Sequence, residues 1–238
     1  MHTDEARTNG LAVRQAVIDV LASDRLACVI AELQRSGGPG MAVERALPPD
    51  ITALIRKDMI ADPGWHGEYW LLRDNSPDVH PVDADTFFGS RPDLRFSRNA
   101  CLRKPDPQSL ALRGLLSAMT SAEALGALSA ACGIALTFAS ADIAAYRKGD
   151  YLHRHADEFG NRCLGLVWFL DESPADGGGG ELVVEGPSGE CAVITSRAGT
   201  IGVIPIRSAY THLVATIRND HWVRYSIATH FSRTTAGK

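Results

Sequence analysis

Tyr146-Arg147-Lys148-Gly149-Asp150-Tyr151-Leu152-His153-Arg154-His155-Ala156-Asp157 is the stretch on which the reading of this chain turns. An apolar run ending in Tyr146, a Lys-Gly-Asp cluster and a second short run read as strand, turn and strand. Residues two apart on a strand face the same side, so the His155 imidazole and the Asp157 carboxylate converge. Such a pair makes two of the three ligands of a facial metal site, whose remaining positions stay open. His-x-Asp alone is a weak signal, because a polar strand end produces it by chance. His153 shares the parity of His155 but lacks the relation to a carboxylate.

Downstream and just upstream, short apolar runs recur between turn clusters: 134–138, 142–147, 151–156, 163–170, 181–185, 190–195, 200–205, 212–217 and 222–231. About eight short strands at this spacing suit a double-sheet jelly roll. An immunoglobulin-like sandwich fits the strands as well, but leaves the polar residues without a role. In a jelly roll, His212 of Thr211-His212-Leu213-Val214 can reach the same metal as the His-x-Asp strand. Arg224, one strand and a turn later, can point into the barrel. A lone guanidinium there is costly unless an anion pairs with it. A dicarboxylate provides that anion, and the planar guanidinium suits bidentate carboxylate binding. On an edge strand the same Arg would be an ordinary surface charge.

The first half reads as mainly helical. Val13, Val17, Val20 and Leu21, then Leu26, Val29, Ile30 and Leu33, recur at three-to-four spacing and stop at Gly37-Gly38. Asp50 is placed to cap a helix bearing Ile51, Leu54, Ile55 and Met59. A helical pair spans about 108–132, with Thr120 and Glu123 at capping-box spacing and Gly133 as the stop. Between these, 65–104 reads as irregular, with Trp65, Tyr69, Trp70, Phe87 and Phe88 interleaved with Arg73, Arg91, Arg95, Arg98 and Arg103. That composition suits a lid over a small polar substrate. The expected organisation is a mostly β fold with flanking helices in a single structural domain. It comprises a helical N-terminal layer over 1–133 with the lid segment, a jelly-roll catalytic core over 134–233, and a tail over 234–238.

Composition narrows the classes. Of 238 residues, 45% are hydrophobic and 22% charged, which supports a sizeable core. A net charge of −4 and the absence of a dense Lys/Arg run argue against a nucleic-acid partner. No apolar stretch is long enough to cross a bilayer, so no membrane partner is expected, and Met1 to Gly10 lacks the character of a secretory signal. Five scattered cysteines, odd in number and without a Cys-x-x-Cys pair, suit reduced thiols in the cytoplasm.

Taken in order, Tyr146, Gly149, His155/Asp157, the strand Leu164 to Leu170, Gly179-Gly180-Glu181-Leu182, His212/Val214 and Arg224/Ser226 resemble a known pattern. It is that of the prolyl-hydroxylase-like branch of the 2-oxoglutarate and iron(II)-dependent oxygenases. The resemblance covers roughly Thr120 to Arg233; residues 1–119 match nothing nameable. It implies a 2-oxoglutarate-dependent non-haem iron dioxygenase, with Fe(II), 2-oxoglutarate and O2, and with ascorbate as a supporting reductant. His155, Asp157 and His212 would bind iron. Arg224 would pair with the distal carboxylate of 2-oxoglutarate, with Ser226 or Tyr146 adding a hydrogen bond. Arg162, His230 and Arg98 are candidates for substrate contact. One departure stands out: where the branch often carries Trp-Phe after Arg-x-Ser-Ile, this chain has Thr229-His230-Phe231. The implied reaction hydroxylates an unactivated C–H of an amino acid, a small biosynthetic intermediate or a peptidyl residue, releasing succinate and CO2. Desaturation and cyclisation belong to the same class. The rival class is a cupin-like metal-binding protein or isomerase, which has no need of a buried Arg224.

Overall fold

Strand β12, Arg224–Arg233, shows how alternation builds the molecule. Tyr225, Ile227 and Phe231 pack into the main apolar core, whereas Arg224, Ser226, Ala228 and His230 face an internal cavity. On one side β12 pairs antiparallel with β7, Arg162–Phe169, and on the other with β5, Leu136–Tyr146. The same alternation recurs on β7. Leu164, Leu166 and Trp168 enter the main core, while Gly165 and Val167 turn toward the cavity. The structure, a computed structural model, describes residues 2–74, 76–175 and 177–234. Residues 235–238 of the expected tail lie outside the described residues.

The remaining strands are β1 (Met41–Val43), β2 (Trp65–Leu72), β3 (Val79–Val82), β4 (Arg95–Leu102), β6 (Tyr151–His155), β8 (Leu182–Glu185), β9 (Cys191–Ile194), β10 (Ile201–Pro205) and β11 (Thr211–Val214). Hydrogen bonding runs β1-β10-β7-β12-β5-β4-β6-β11-β8-β9, with β2 joined to β4 and β3 to β2. Every pairing is antiparallel. The sheet curls into a jelly-roll barrel, as expected. Strand β4 makes the seam. Along one edge its Ala100 and Cys101 pair with Ala145 and Ala144 of β5, while Ser97 and Arg98 pair with Leu152 and Tyr151 of β6.

Helices cover the outer face of the β12-β7-β10 sheet: α1 (His2–Leu21), α2 (Asp24–Ser36), α3 (Pro49–Ala61), α5 (Leu110–Met119) and α6 (Ala122–Cys132). Gly10 and Gly114 let α1 and α5 cross with their backbones touching, since a Cβ on Gly114 would collide with the Gly10 carbonyl. That contact offsets the helix-interior cost of glycine. Among the described residues, no single helix is long and apolar enough to cross a membrane.

Four local expectations are corrected. The 65–104 segment is not irregular and the 1–133 layer is not only helical. Residues 65–102 form β2, β3, the short helix α4 (Ala84–Gly89) and β4, all part of the one sheet or packed on it. Gly67, Pro81 and the charged residues between the aromatics hide the two-residue period, so long-range pairing makes these strands where local pattern does not. The cap of α6 is Ser121, which accepts from the Ala124 N–H, not Thr120. Asp50 lies in the first turn of α3, one residue past Pro49. The runs 134–138 and 142–147 are also one strand, β5, carrying a bulge at Ala139 where pairing steps from His230–Ser140 to Phe231–Phe138.

Candidate metal centre and anion pocket

His155 closes β6, and its antiparallel partner across the ladder is His212 on β11, so pairing alone brings the two rings to 4.1 Å between centroids. Asp157 follows two residues after the strand. Nε2 of His155 lies 3.6 Å from Asp157 Oδ1, and Nε2 of His212 lies 3.4 Å from Oδ2. One ligand atom from each of the three lies within 4.8 Å of the others, a spacing a single ion can span. Nδ1 of His155 is 2.9 Å from the His153 carbonyl, which can only accept. The proton therefore sits on Nδ1, leaving the Nε2 lone pair for a metal. Burial, with the charge of neighbouring His155, pulls His212 down to about 3 against the opposing pull of Asp157. It is neutral, and so competent to ligate, at neutral pH. Burial opposes ionisation of Asp157, but the His230 hydrogen bond and the nearby His212 outweigh it, holding this carboxyl far below the usual range. Two imidazoles and one carboxylate, with one side open to a cavity, fit iron(II).

The cavity of about 630 Å³ runs from this cluster to Arg224 and is lined by Tyr146, Phe96, Ser226 and Ile204 among others. Its size lies in the range of small-molecule sites. Arg224 is only 1% exposed. Its guanidinium lies between the rings of Tyr146 and Phe169, 5.1 and 5.0 Å from their centroids. Nε and Nη1 are buried without a hydrogen-bond partner. Burial lowers the guanidinium to about 10, against the pull of Tyr146 and Glu181. A buried cation with idle donors beside a metal-ligand cluster asks for an anion. Ser226, buried two residues on, faces the same cavity.

The three substrate candidates fare differently. His230 borders the cavity, but its Nε2 donates to Asp157 Oδ2 at 3.0 Å. Arg162 lies behind it, donating to Ser140 Oγ at 2.8 Å with its guanidinium 3.9 Å from the Phe159 ring centroid. Arg98 stands outside the cavity walls. It donates to Asp150 Oδ1 at 2.6 Å and to the Lys148 carbonyl at 2.7 Å, pinning the turn before β6. A Cβ at Gly149, whose φ is +79°, would strike that guanidinium.

Sequence reasoning passed over Ser140, Asp142 and Phe169. Ser140 and Asp142 share the parity of Ala144 and Tyr146 on β5, a signal that was present. Phe169 reads as core yet holds one face of Arg224. The β2–β4 region also contributes wall. Arg103 donates to Glu68 through Nε at 2.6 Å and Nη2 at 2.8 Å, and Glu68, Trp70 and Phe96 border the cavity.

Residues 141–232 match the family model described as the 2OG-Fe(II) oxygenase superfamily. No curated protein matches by sequence. Among solved structures, a Pseudomonas putida prolyl-4-hydroxylase is similar at TM-score 0.61 and 19% identity, covering 88% of this chain and 100% of that one. A Trichoplax adhaerens prolyl hydroxylase, solved with a hypoxia inducible factor peptide, gives 0.63 and 15%, covering 88% and 90%. A 2OG-Fe(II) oxygenase-family oxidoreductase from Burkholderia pseudomallei gives 0.56 and 20%, covering 88% and 92%. At these identities the structural likeness speaks for the fold. The family match covers most of the barrel of this chain, including all three candidate metal ligands and Arg224. The protein is a 2-oxoglutarate-dependent non-haem iron dioxygenase, requiring Fe(II), 2-oxoglutarate and O2, and the cupin-like alternative falls away.

Proposed function

We propose that the protein hydroxylates an unactivated C–H bond of an amino acid, a small biosynthetic intermediate or a peptidyl residue, with release of succinate and CO2. His155, Asp157 and His212 hold the iron. Arg224 pairs with the distal carboxylate of 2-oxoglutarate, and Ser226 and Tyr146 lie on the same wall to support it. Bound iron(II) supplies the activation of O2, coupled to oxidative decarboxylation of the co-substrate. The chain supplies placement. Arg224 fixes one end of the co-substrate, Tyr146 and Phe169 keep water from the guanidinium, and the apolar walls leave the metal side dry.

The observation that carries this reading is Arg224, a fully buried cation with unpartnered donors on the cavity that the three ligands share. The 65–104 segment, folded as β2–β4 rather than as a loose lid, forms the wall that chooses the substrate. A peptidyl target draws support from the hypoxia inducible factor peptide bound by the Trichoplax relative. The test is succinate release by the iron-loaded enzyme across a panel of free amino acids and peptides, with mass detection of one added oxygen atom. Uncoupled or substrate-stimulated succinate formation in the parent, lost in Arg224→Ala at low 2-oxoglutarate, is the expected result. Equal succinate formation by both at every concentration would defeat the assignment of Arg224.

A further inference from the structure

We infer that His230 is a positioning residue for the metal-binding carboxylate, held in one tautomer by a relay that starts at Arg162. This rests on the metal site proposed above and goes beyond it. As the ligand carboxylate Asp157 can only accept, so the His230 Nε2 that lies 3.0 Å from its Oδ2 is the donor. With that one ring proton in place Nδ1 is an acceptor, and Ser140 Oγ lies 3.2 Å from it. Arg162 Nη2 donates to Ser140 Oγ at 2.8 Å, which fills one hydroxyl lone pair and leaves the O–H to donate to Nδ1. Asp142 also faces Nδ1, but at 3.6 Å it is too far for a hydrogen bond.

Every donor in this series points the same way: Arg162 to Ser140, Ser140 to His230, His230 to Asp157. The permanent charge of Arg162 polarises the series toward the carboxylate. His230 is 6% exposed, and the side chains of Arg162 and Asp157 are each 11% exposed, so water competes weakly. The consequence falls on Asp157. Its Oδ2 accepts from His230 and lies 3.4 Å from His212 Nε2, while Oδ1 makes no hydrogen bond among the described residues and lies 3.6 Å from His155 and 3.8 Å from Arg162. A carboxylate tied through one oxygen presents the other, which favours one-oxygen ligation and leaves coordination positions free for co-substrate and O2.

Register and one backbone irregularity assemble the relay. Ser140 stands opposite His230 in the same unbroken register that pairs Arg224 with Tyr146 across the β5–β12 ladder. A bulge at Cys163 steps the β7–β12 pairing from Phe231–Leu164 to Ser232–Arg162. Without it Arg162 would share the parity of Leu164 and point into the helical layer. The bulge flanks the strand that carries His230, which is where a strand would be bent to aim a side chain.

The test measures Mn(II) affinity of the full-length protein by calorimetry, with the Mn(II) paramagnetic resonance spectrum as a second readout and thermal unfolding of the metal-free protein as a fold control. His230→Leu is expected to bind Mn(II) about 10- to 100-fold more weakly, the range found when a partner of a metal ligand is removed. His230→Gln, whose amide N–H reaches the place of Nε2–H, recovers most of that loss. Ser140→Ala loses a smaller part. If His230→Leu does not fold, the Gln and Ser140 variants decide. Affinity in His230→Leu equal to the parent, while His155→Ala binds none, would overturn the positioning role and leave the metal site standing. Equal losses in the Leu and Gln variants would also overturn it, because then the volume of the ring matters and its hydrogen bond does not. If His155→Ala binds as tightly as the parent, or the parent binds no Mn(II), the metal site itself is wrong and this inference falls with it.

Discussion

The two ends of the cavity handle buried charge in opposite ways. Around Asp157 the groups that orient the ligands find partners in the chain: His230 at Oδ2, the His153 carbonyl at His155, Ser140 behind His230. At the other end Arg224, more deeply buried, is sandwiched by two aromatic rings and leaves Nε and Nη1 without an acceptor. The first end is complete as a ligand set and waits for a cation. The second is incomplete as protein and waits for an anion. A buried group with all its partners stabilises the fold, whereas one without them costs stability that a ligand must restore. The contrast separates residues kept for structure from residues kept for binding.

The strongest blow to the comparison comes from the ligand cluster. Replacing His155, Asp157 or His212 by Ala is expected to abolish turnover while thermal unfolding stays cooperative, since none of the three contributes to the apolar cores. Substantial product formation by any of them in a coupled succinate assay would remove that residue from the metal.

Arg224 offers the next effect, and one with two signs. Arg224→Met should weaken 2-oxoglutarate binding about ten- to a hundredfold, the equivalent of roughly 1.5–3 kcal/mol for a charge-assisted pair. The same variant should leave the ligand-free protein as stable as the parent or more so, by about 1 kcal/mol, because an unpaired buried charge has gone. Calorimetry with 2-oxoglutarate and denaturant unfolding without it check the two halves. A variant that loses stability and keeps 2-oxoglutarate affinity would make Arg224 structural.

Asp62 supplies the control, as a buried charge with its partners inside the protein. Burial works against its ionisation, but the backbone N–H groups of Asp106 and Gly64 and the Ser109 hydroxyl prevail and lower its titration below the usual carboxylate value. Asp62→Ala should lower stability by about 1–3 kcal/mol at neutral pH. The sign with pH follows from the depressed folded value. The contribution is fully present above the unfolded carboxylate range and is lost as pH falls through the folded value. The gap between parent and variant in urea should therefore narrow on acidification. A gap that widens toward acid would refute the ionised role.

Arg98 tests the smallest difference. Its pairing with Asp150 and the Lys148 carbonyl places it among the structural groups. Arg98→Ala should cost about 0.5–1 kcal/mol and leave turnover unchanged for any substrate found, read as equal KM and kcat. A change in KM alone would return it to substrate contact.

The barrel was legible because its strands keep a clean period between turn clusters. Arg224, Ser226 and His230 could be assigned to one face by counting in twos. The His-x-Asp pair and the distal His could be matched to a ligand set by chemistry, since few residue types bind iron and they occurred in order. The N-terminal strands were not legible. Trp65 to Leu72 and Arg95 to Leu102 take their extended form from pairing with each other, and β4 also from pairing with β5 and β6. Such partners lie too far along the chain for local pattern to register.

From the sequence alone came the class of fold, the ligand types and the parity that turns Arg224 inward, because these depend on residue chemistry and on the fixed two-residue repeat of a strand. Only the tertiary structure decided what parity cannot express. The pairing of β6 with β11 set His155 against His212. The seam along β4 drew Arg98 out of the cavity and onto Asp150. The bulge at Cys163 turned Arg162 toward His230. A bulge shifts every residue beyond it to the other face, and whether one forms depends on the neighbouring strand, which no stretch of sequence carries by itself.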